Sequence, residues 1–200
     1  MYAKLKNTAS KRREAIITLA ICLFFVVVTV LILKAMGRPF ISNSGFVKIW
    51  HGEVVSSENS QHFSDWYSFS HVVHGFLFYF ILWLVSKKVP ILRNFSVALV
   101  IAVVMESAWE IIENTDFIIN RYREATIALD YFGDSIVNST ADILFMSLGF
   151  MLASRLSVKA SLCVVIVFES LLAFVIRDNL ALNIIMLIYP IDAIKQWQIG

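Results

Sequence analysis

Three short stretches carry the residues able to do chemistry. SFSHVVHGF places His71 and His74 three residues apart, and MESAWEIIE places Glu106, Glu110 and Glu113 at i, i+4 and i+7. DSIVNSTAD sets Asp134, Asn138 and Asp142 at i, i+4 and i+8. On a helix each set shares one face, the histidines standing about 60° apart around the axis. Imidazole with carboxylate is a ligand set for Zn, Mn or Fe. Such an ion lowers the pKa of water and makes a nucleophile of it, and a free carboxylate beside it can act as general base. The ligands of this reading are His71, His74, Glu113 and Asp142, and the catalytic carboxylates are Glu110 and Glu106. Arg121 and Arg123, within NTDFIINRYREATIALDYFGD, would grip a phosphate or carboxylate headgroup. Asn138 would complete the substrate contacts.

These residues lie in an oily chain. Of 200 residues, 58% are hydrophobic and only 16% charged, against about 45–50% apolar in soluble domains. The pattern predicts an all-α, polytopic transmembrane bundle, one domain over residues 1–200. Spans are expected at 15–36, 66–86, 94–113, 134–154 and 158–176. Residues 180–198 make a sixth if their helix runs on through Pro190, with Lys195 and Trp197 at the far interface, and the balance tips toward a sixth crossing. The first apolar run is too long for a signal peptide and lacks a small-residue cleavage site, so it reads as an anchor. Cys22 and Cys163 both lie in apolar runs and read as small hydrophobes. A net charge of +2 gives no reason to expect nucleic acid.

Lys and Arg placement sets the orientation. Five basic residues in the leading tail, Lys87, Lys88 and Arg93 after the second span, and Arg155 and Lys159 between the fourth and fifth fall on one side. That side is read as cytoplasmic, with the amino terminus there and the chain in a bacterial inner membrane. His71, His74, the three glutamates, Asp134 and Asp142 then gather at one depth in the opposite, outer half, although they come from separate spans. The inner halves are nearly all apolar. A carboxylate in hydrocarbon costs roughly 2.5–3.5 kcal/mol on insertion scales for Asp, so these stripes should face each other rather than lipid.

Ordinary roles compete at each position. The histidines could simply pack and hydrogen-bond, and the glutamates could pair with Arg121, Arg123 or Arg177. Asp134 within GDS reads as a helix N-cap, whereas Asp142 lies two turns deeper, beyond any capping role. Trp50, Trp66, Tyr67, Tyr122 and Tyr131 read as interfacial anchors. Gly75 and Gly149 read as points of close helix contact.

The stretches SSENSQHFSDWYSFSHVVHGFLFY, ESAWEIIENTDFIINRYREATIALDYFGDSIVNSTADI and IRDNLALNIIMLIYPIDAIKQWQ resemble a bacterial membrane family catalogued as an uncharacterised protein family of unknown function. The resemblance covers about residues 46–198. It implies a multi-pass inner-membrane protein and no particular activity. A looser likeness to VanZ-like membrane proteins rests on the order Glu110, Arg123, Asp134, Asn138, Asp142, Gly149. It implies a helical-hairpin arrangement.

Three functions follow. The first is a metal-dependent enzyme acting on a lipid or lipid-linked substrate. The second is a non-catalytic protein whose buried polar network fixes helix register. The third is a proton-coupled transporter, disfavoured because the inner halves supply few polar groups. The enzyme ranks first.

Overall fold

A computed structural model describes residues 2–126, 128 and 130–199, with side chains from Ser10 onward. The described chain is all-helical: α1 (Tyr2–Ala35), α2 (Ser68–Ser86), α3 (Phe95–Glu113), α4 (Asp116–Ala125), α5 (Ile136–Ala153), α6 (Val158–Ile176), α7 (Leu180–Ile188) and α8 (Asp192–Ile199). A 3₁₀ turn, Pro90–Arg93, joins α2 to α3. Five helices, α1, α2, α3, α5 and α6, are long and apolar enough to cross a membrane.

Local chemistry starts most of these helices. The side chains of Asn94, Thr115, Ser135, Ser157 and Asn179 each accept a backbone N–H in the first turn of α3, α4, α5, α6 and α7. Each cap satisfies a donor that helix geometry leaves orphaned, worth about 1 kcal/mol. Asp134 therefore does not cap α5. Ser135 does, its Oγ accepting from the Asn138 N–H at 3.1 Å. The shorter Ser side chain sits at the turn itself, and Asp134 is left to point elsewhere.

No sixth helix long enough to cross a membrane forms among the described residues. Tyr189 and Pro190 separate α7 from α8, because Pro offers no N–H and disfavours helix in the residue before it. Nine residues of α7 span only about 14 Å of a ~30 Å hydrocarbon core. Nor does α8 reach a far interface. Lys195 Nζ donates to the Glu124 carbonyl at 2.7 Å, and the Trp197 carbonyl accepts from Arg177 at 3.2 Å. The segment instead folds back as a cap, with α4 against α7, over the end where α3 stops and α5 starts.

α2 and α5 form the tightest pair. A Cβ on Gly75 would collide with the Met146 carbonyl oxygen, and one on Gly149 with that of Val72. Two hydrogens in place of two side chains let the backbones touch, and this sets His71 of α2 beside Asp142 of α5. The apolar core of Leu82, Ala102, Val103, Ile143, Met146 and Phe150 fills the bundle away from the histidines, with α1 packed on it through Phe25 and Val26. The outer faces of α1 and α6 carry many exposed apolar side chains, as helices bordering lipid do.

Residues 36–67 form an irregular loop laid over the start of α5. Its anchors are backbone bonds from Ser135 to Ser60, Ile136 to Pro39 and Val137 to Phe40, at 3.0, 2.9 and 3.2 Å. Asn138 Nδ2 adds a bond to the His62 carbonyl at 2.9 Å.

Candidate functional site

α2, α3 and α5 bring the three polar stripes together. Glu106, fully buried, lies between the histidines. Its Oε1 is 2.6 Å from His71 Nδ1, and both its oxygens are 3.1 Å from His74 Nδ1. The His71 ring is faced on its other edge by Asp142, with Nε2 at 3.7 Å from Oδ2. Glu110 Oε1 is 3.5 Å from His71 Nδ1. His74 stacks on Phe78 and meets Trp109 edge-on. Both rings are thereby fixed, and Nδ1 of each points at the same carboxylate.

The hydrogen bonds of the cluster are incomplete. Glu110 is 0% exposed, yet neither of its oxygens has a hydrogen-bond donor among the described residues. Asp142 Oδ1 and the hydroxyls of Ser70 and Ser107 share this condition. His71 cannot supply Glu110, because its Nδ1 is the closer partner of Glu106. Buried polar atoms are almost always paired, and an unpaired carboxylate costs several kcal/mol. A cation or a proton has to stand against Glu110.

Beyond the cluster a cavity opens toward the loops, with about 70 Å³ open to water-sized groups. At roughly 10–15 Å³ per water, that is room for about five. Glu113, Asp134, Asp142 and Asp178 line it, together with Tyr67, Trp109, Tyr122 and Tyr131. Three of the aromatic residues do more than anchor an interface. Tyr67 donates to Asp178 at 2.9 Å, Tyr131 donates to Asp134 at 3.0 Å, and Tyr122 stands in the cavity wall with Glu113. Asp134 also accepts from Asn114 Nδ2 at 2.9 Å, while its own N–H donates to Asn114 Oδ1 at 2.7 Å. Burial still pushes the Asp134 carboxyl up to about 6, against the pull of Asn114 and Tyr131. Asp178 is likewise raised to about 6 by burial, opposed by Tyr67, Asn179 and Asn183.

The substrate-contact residues expected from sequence lie elsewhere. Arg121 donates through Nε to the Leu187 carbonyl at 2.9 Å, tying α4 to α7. Arg123 lies over the Phe132 ring, 4.9 Å from its centroid. Neither lines the cavity. Arg177 bonds the Trp197 carbonyl. Asn138 is buried and holds the 36–67 loop rather than facing the cavity. These side chains are long or amphipathic, and spacing alone could not say which way each turns.

The sequence placed Asp178 at the polar end of the fifth span without a site role, and gave no role to Asn114 or to a second histidine group. Asn114 follows directly on MESAWEIIE, and Asp178 sits in the polar RDN after α6, so both had a local signal. His51, Glu58 and His62 come from the loop and converge with ligand atoms within 4.8 Å of one another. His62 Nδ1 accepts the Lys48 backbone N–H at 3.3 Å, which places the ring proton on Nε2, where it donates to Glu58 at 3.1 Å. Glu58 is held down at about 2, first by Ser42, then by Ser44 and His62. Lys48 Nζ stands 3.2 Å from His51 Nδ1 and 3.5 Å from Glu58.

Fold and site together define a helical membrane protein with an ionisable cluster built into one end of its bundle. The chain belongs to the family described as protein of unknown function (DUF2585), whose profile matches residues 33–200. It is similar to UPF0314 proteins of several bacteria. One from Rhizobium meliloti (strain 1021) is 52% identical over 190 residues, 95% of this chain and 94% of the relative. One from Paracoccus denitrificans (strain Pd 1222) is 54% identical over 173 residues, 86% of this chain and 88% of the relative. One from Sphingopyxis alaskensis is 50% identical over 170 residues, 84% and 88% of the two chains. No solved structure matches.

Proposed function

We propose that the chain is a metal-dependent enzyme of the bacterial inner membrane, acting on a lipid or lipid-linked substrate, its amino terminus cytoplasmic and its cavity facing outward. The observation that carries this reading is the fully buried Glu110, its two oxygens without donors, beside two fixed imidazoles. The residues fit a divalent ion: His71, His74 and Glu106 offer ligand atoms within 4.8 Å of one another. Zn, Mn or Fe suits such a nitrogen and oxygen set. Asp142 stands on the far edge of His71, its Oδ2 3.7 Å from Nε2, where carboxylates behind metal-ligating histidines are found. Glu106 thus moves from base to ligand in this assignment, and Glu110 stays as the carboxylate able to take a proton. When bound, the ion supplies a Lewis acid and an acidified water.

The lining offers no Lys or Arg among the described residues, so an anionic headgroup would meet positive charge only through the ion. Trp109 and the tyrosines give the walls apolar surface with polar tips, suited to a headgroup region. A purely structural network fits less well, because such a network would satisfy Glu110. Transport fits less well too, since the core of Leu82, Ala102, Met146 and Phe150 fills the rest of the bundle with apolar side chains.

The test is elemental analysis of protein extracted in mild detergent, without chelator or histidine tag, beside His74→Ala. Near-stoichiometric Zn, Mn or Fe in the wild type and its loss in the variant are expected. A well-folded wild type that holds no metal sinks the proposal.

A further inference from the structure

The cluster contains a second donor set, independent of the histidines. Glu110, Glu113 and Asp134 each offer an oxygen within 4.8 Å of the others. None of the three belongs to the set His71, His74 and Glu106. Glu110 is where the two sets meet, 3.5 Å from His71. It is also the side chain with both oxygens buried and without donors. Asp134 takes one hydrogen bond on each oxygen, from Tyr131 and Asn114, which leaves a lone pair free on each. Glu113 shares the cavity wall with Tyr122 and Trp109. These neighbours orient the carboxylates without neutralising them. Like charges this close raise each other's energy, and one ion at the histidines would leave three carboxylates facing one another.

We propose that Glu110, Glu113 and Asp134 hold a second divalent cation next to the histidine-held one, so that the centre is dinuclear with Glu110 at the junction. This rests on the metal site proposed above. An all-oxygen set takes a hard cation, Mg²⁺ or Mn²⁺, whereas the histidine set favours Zn, Mn or Fe. Two adjacent cations also suit a substrate bearing an anionic oxygen, because both can contact it. The lining otherwise gives such an oxygen no cationic side chain among the described residues.

Mn²⁺ suits both sets and is the probe. The full chain is purified in detergent, stripped with chelator, titrated with Mn²⁺, desalted and counted by mass spectrometry, with electron paramagnetic resonance on the same samples. The expected result is about two Mn²⁺ per chain with a spin-coupled signal. Glu113→Gln should halve the count and remove the coupling. One Mn²⁺ in the wild type, uncoupled and retained in Glu113→Gln, overturns the second cation and leaves the histidine site standing. Two in both proteins overturns the ligand assignment. None in a folded wild type overturns both proposals. Should Glu113→Gln fail to fold, the wild-type count and its coupling decide alone.

Discussion

Two groups of two histidines and a glutamate lie near the start of α5, one in the 36–67 loop and one inside the bundle. Their ring pairs have almost the same spacing, 5.0 Å between the centroids of His51 and His62 and 5.1 Å between those of His71 and His74. Their hydrogen bonds differ. In the loop, the Lys48 N–H fixes the proton of His62 on Nε2, and that proton goes to Glu58. Lys48 Nζ already brings a positive charge to the loop group. In the bundle, Nδ1 of both rings faces Glu106, and Glu110 behind it lacks any donor among the described residues. Residue type and spacing are alike in the two groups. What separates the loop group from the candidate metal centre is the charge around it: Lys48 already stands beside Glu58, whereas Glu110 has no donor among the described residues.

The comparison can be broken most strongly at Glu106. Glu106→Gln removes the charge between buried His71 and half-buried His74 and should cost about 3–5 kcal/mol in metal-free protein, as for one partner of a buried pair. It should also abolish metal retention. Thermal unfolding in detergent and elemental analysis check the two effects.

Titration sharpens the contrast between a buried and a half-buried carboxylate. Asp178, just past α6, is raised from 3.8 to about 6 by burial, whereas Glu58 is lowered. A raised folded pKa means that the folded state binds the proton more tightly. The Asp178 contribution is therefore fully present below about pH 4 and is lost as pH climbs through 6. Relative to Asp178→Asn, wild-type stability should fall by about 2–3 kcal/mol over that window and stay level above it. Chemical denaturation of both proteins across pH 4–7 would show the slope or its absence.

Glu110→Gln should act differently with and without the metal. In stripped protein the buried carboxyl holds a proton, the neutral amide replaces it, and stability should move by less than about 1 kcal/mol. In metal-loaded protein it removes a carboxylate that faces the cation and lowers stability. An equal effect in both states counts against a cation at Glu110. Gly149→Ala tests the positioning of the cluster. A methyl driven into the Val72 carbonyl should separate α2 from α5 at a cost of about 1–3 kcal/mol, and metal affinity should weaken with His71 displaced from Asp142. The smallest effect belongs to the loop: Glu58→Gln should leave metal content unchanged, and a loss there would mean that the loop group binds metal after all.

The sequence by itself determined the five long apolar helices and which residues share a face. The fifth span was legible to the residue, because Ser157 caps its start and the polar RDN closes its end. The three polar stripes were legible from spacings of three, four and seven, since helix period alone fixes a common face. Their shared depth followed from alternation of the spans. Tertiary structure decided the rest. Arg121 and Asn138 turn to backbone carbonyls of α7 and of the 36–67 loop, contacts across 66 and 76 residues that no local pattern encodes. The helix expected over residues 180–198 is broken at Pro190, and α4 and the end of α6 hydrogen-bond the segment beyond it. Glu106 joined the histidines, and Glu110 was left without a donor, through the rotation of α3 against α2 and α5. That rotation is set by packing of the apolar core and by the backbone contact at Gly75 and Gly149, because side-chain direction across helices depends on how their surfaces interlock.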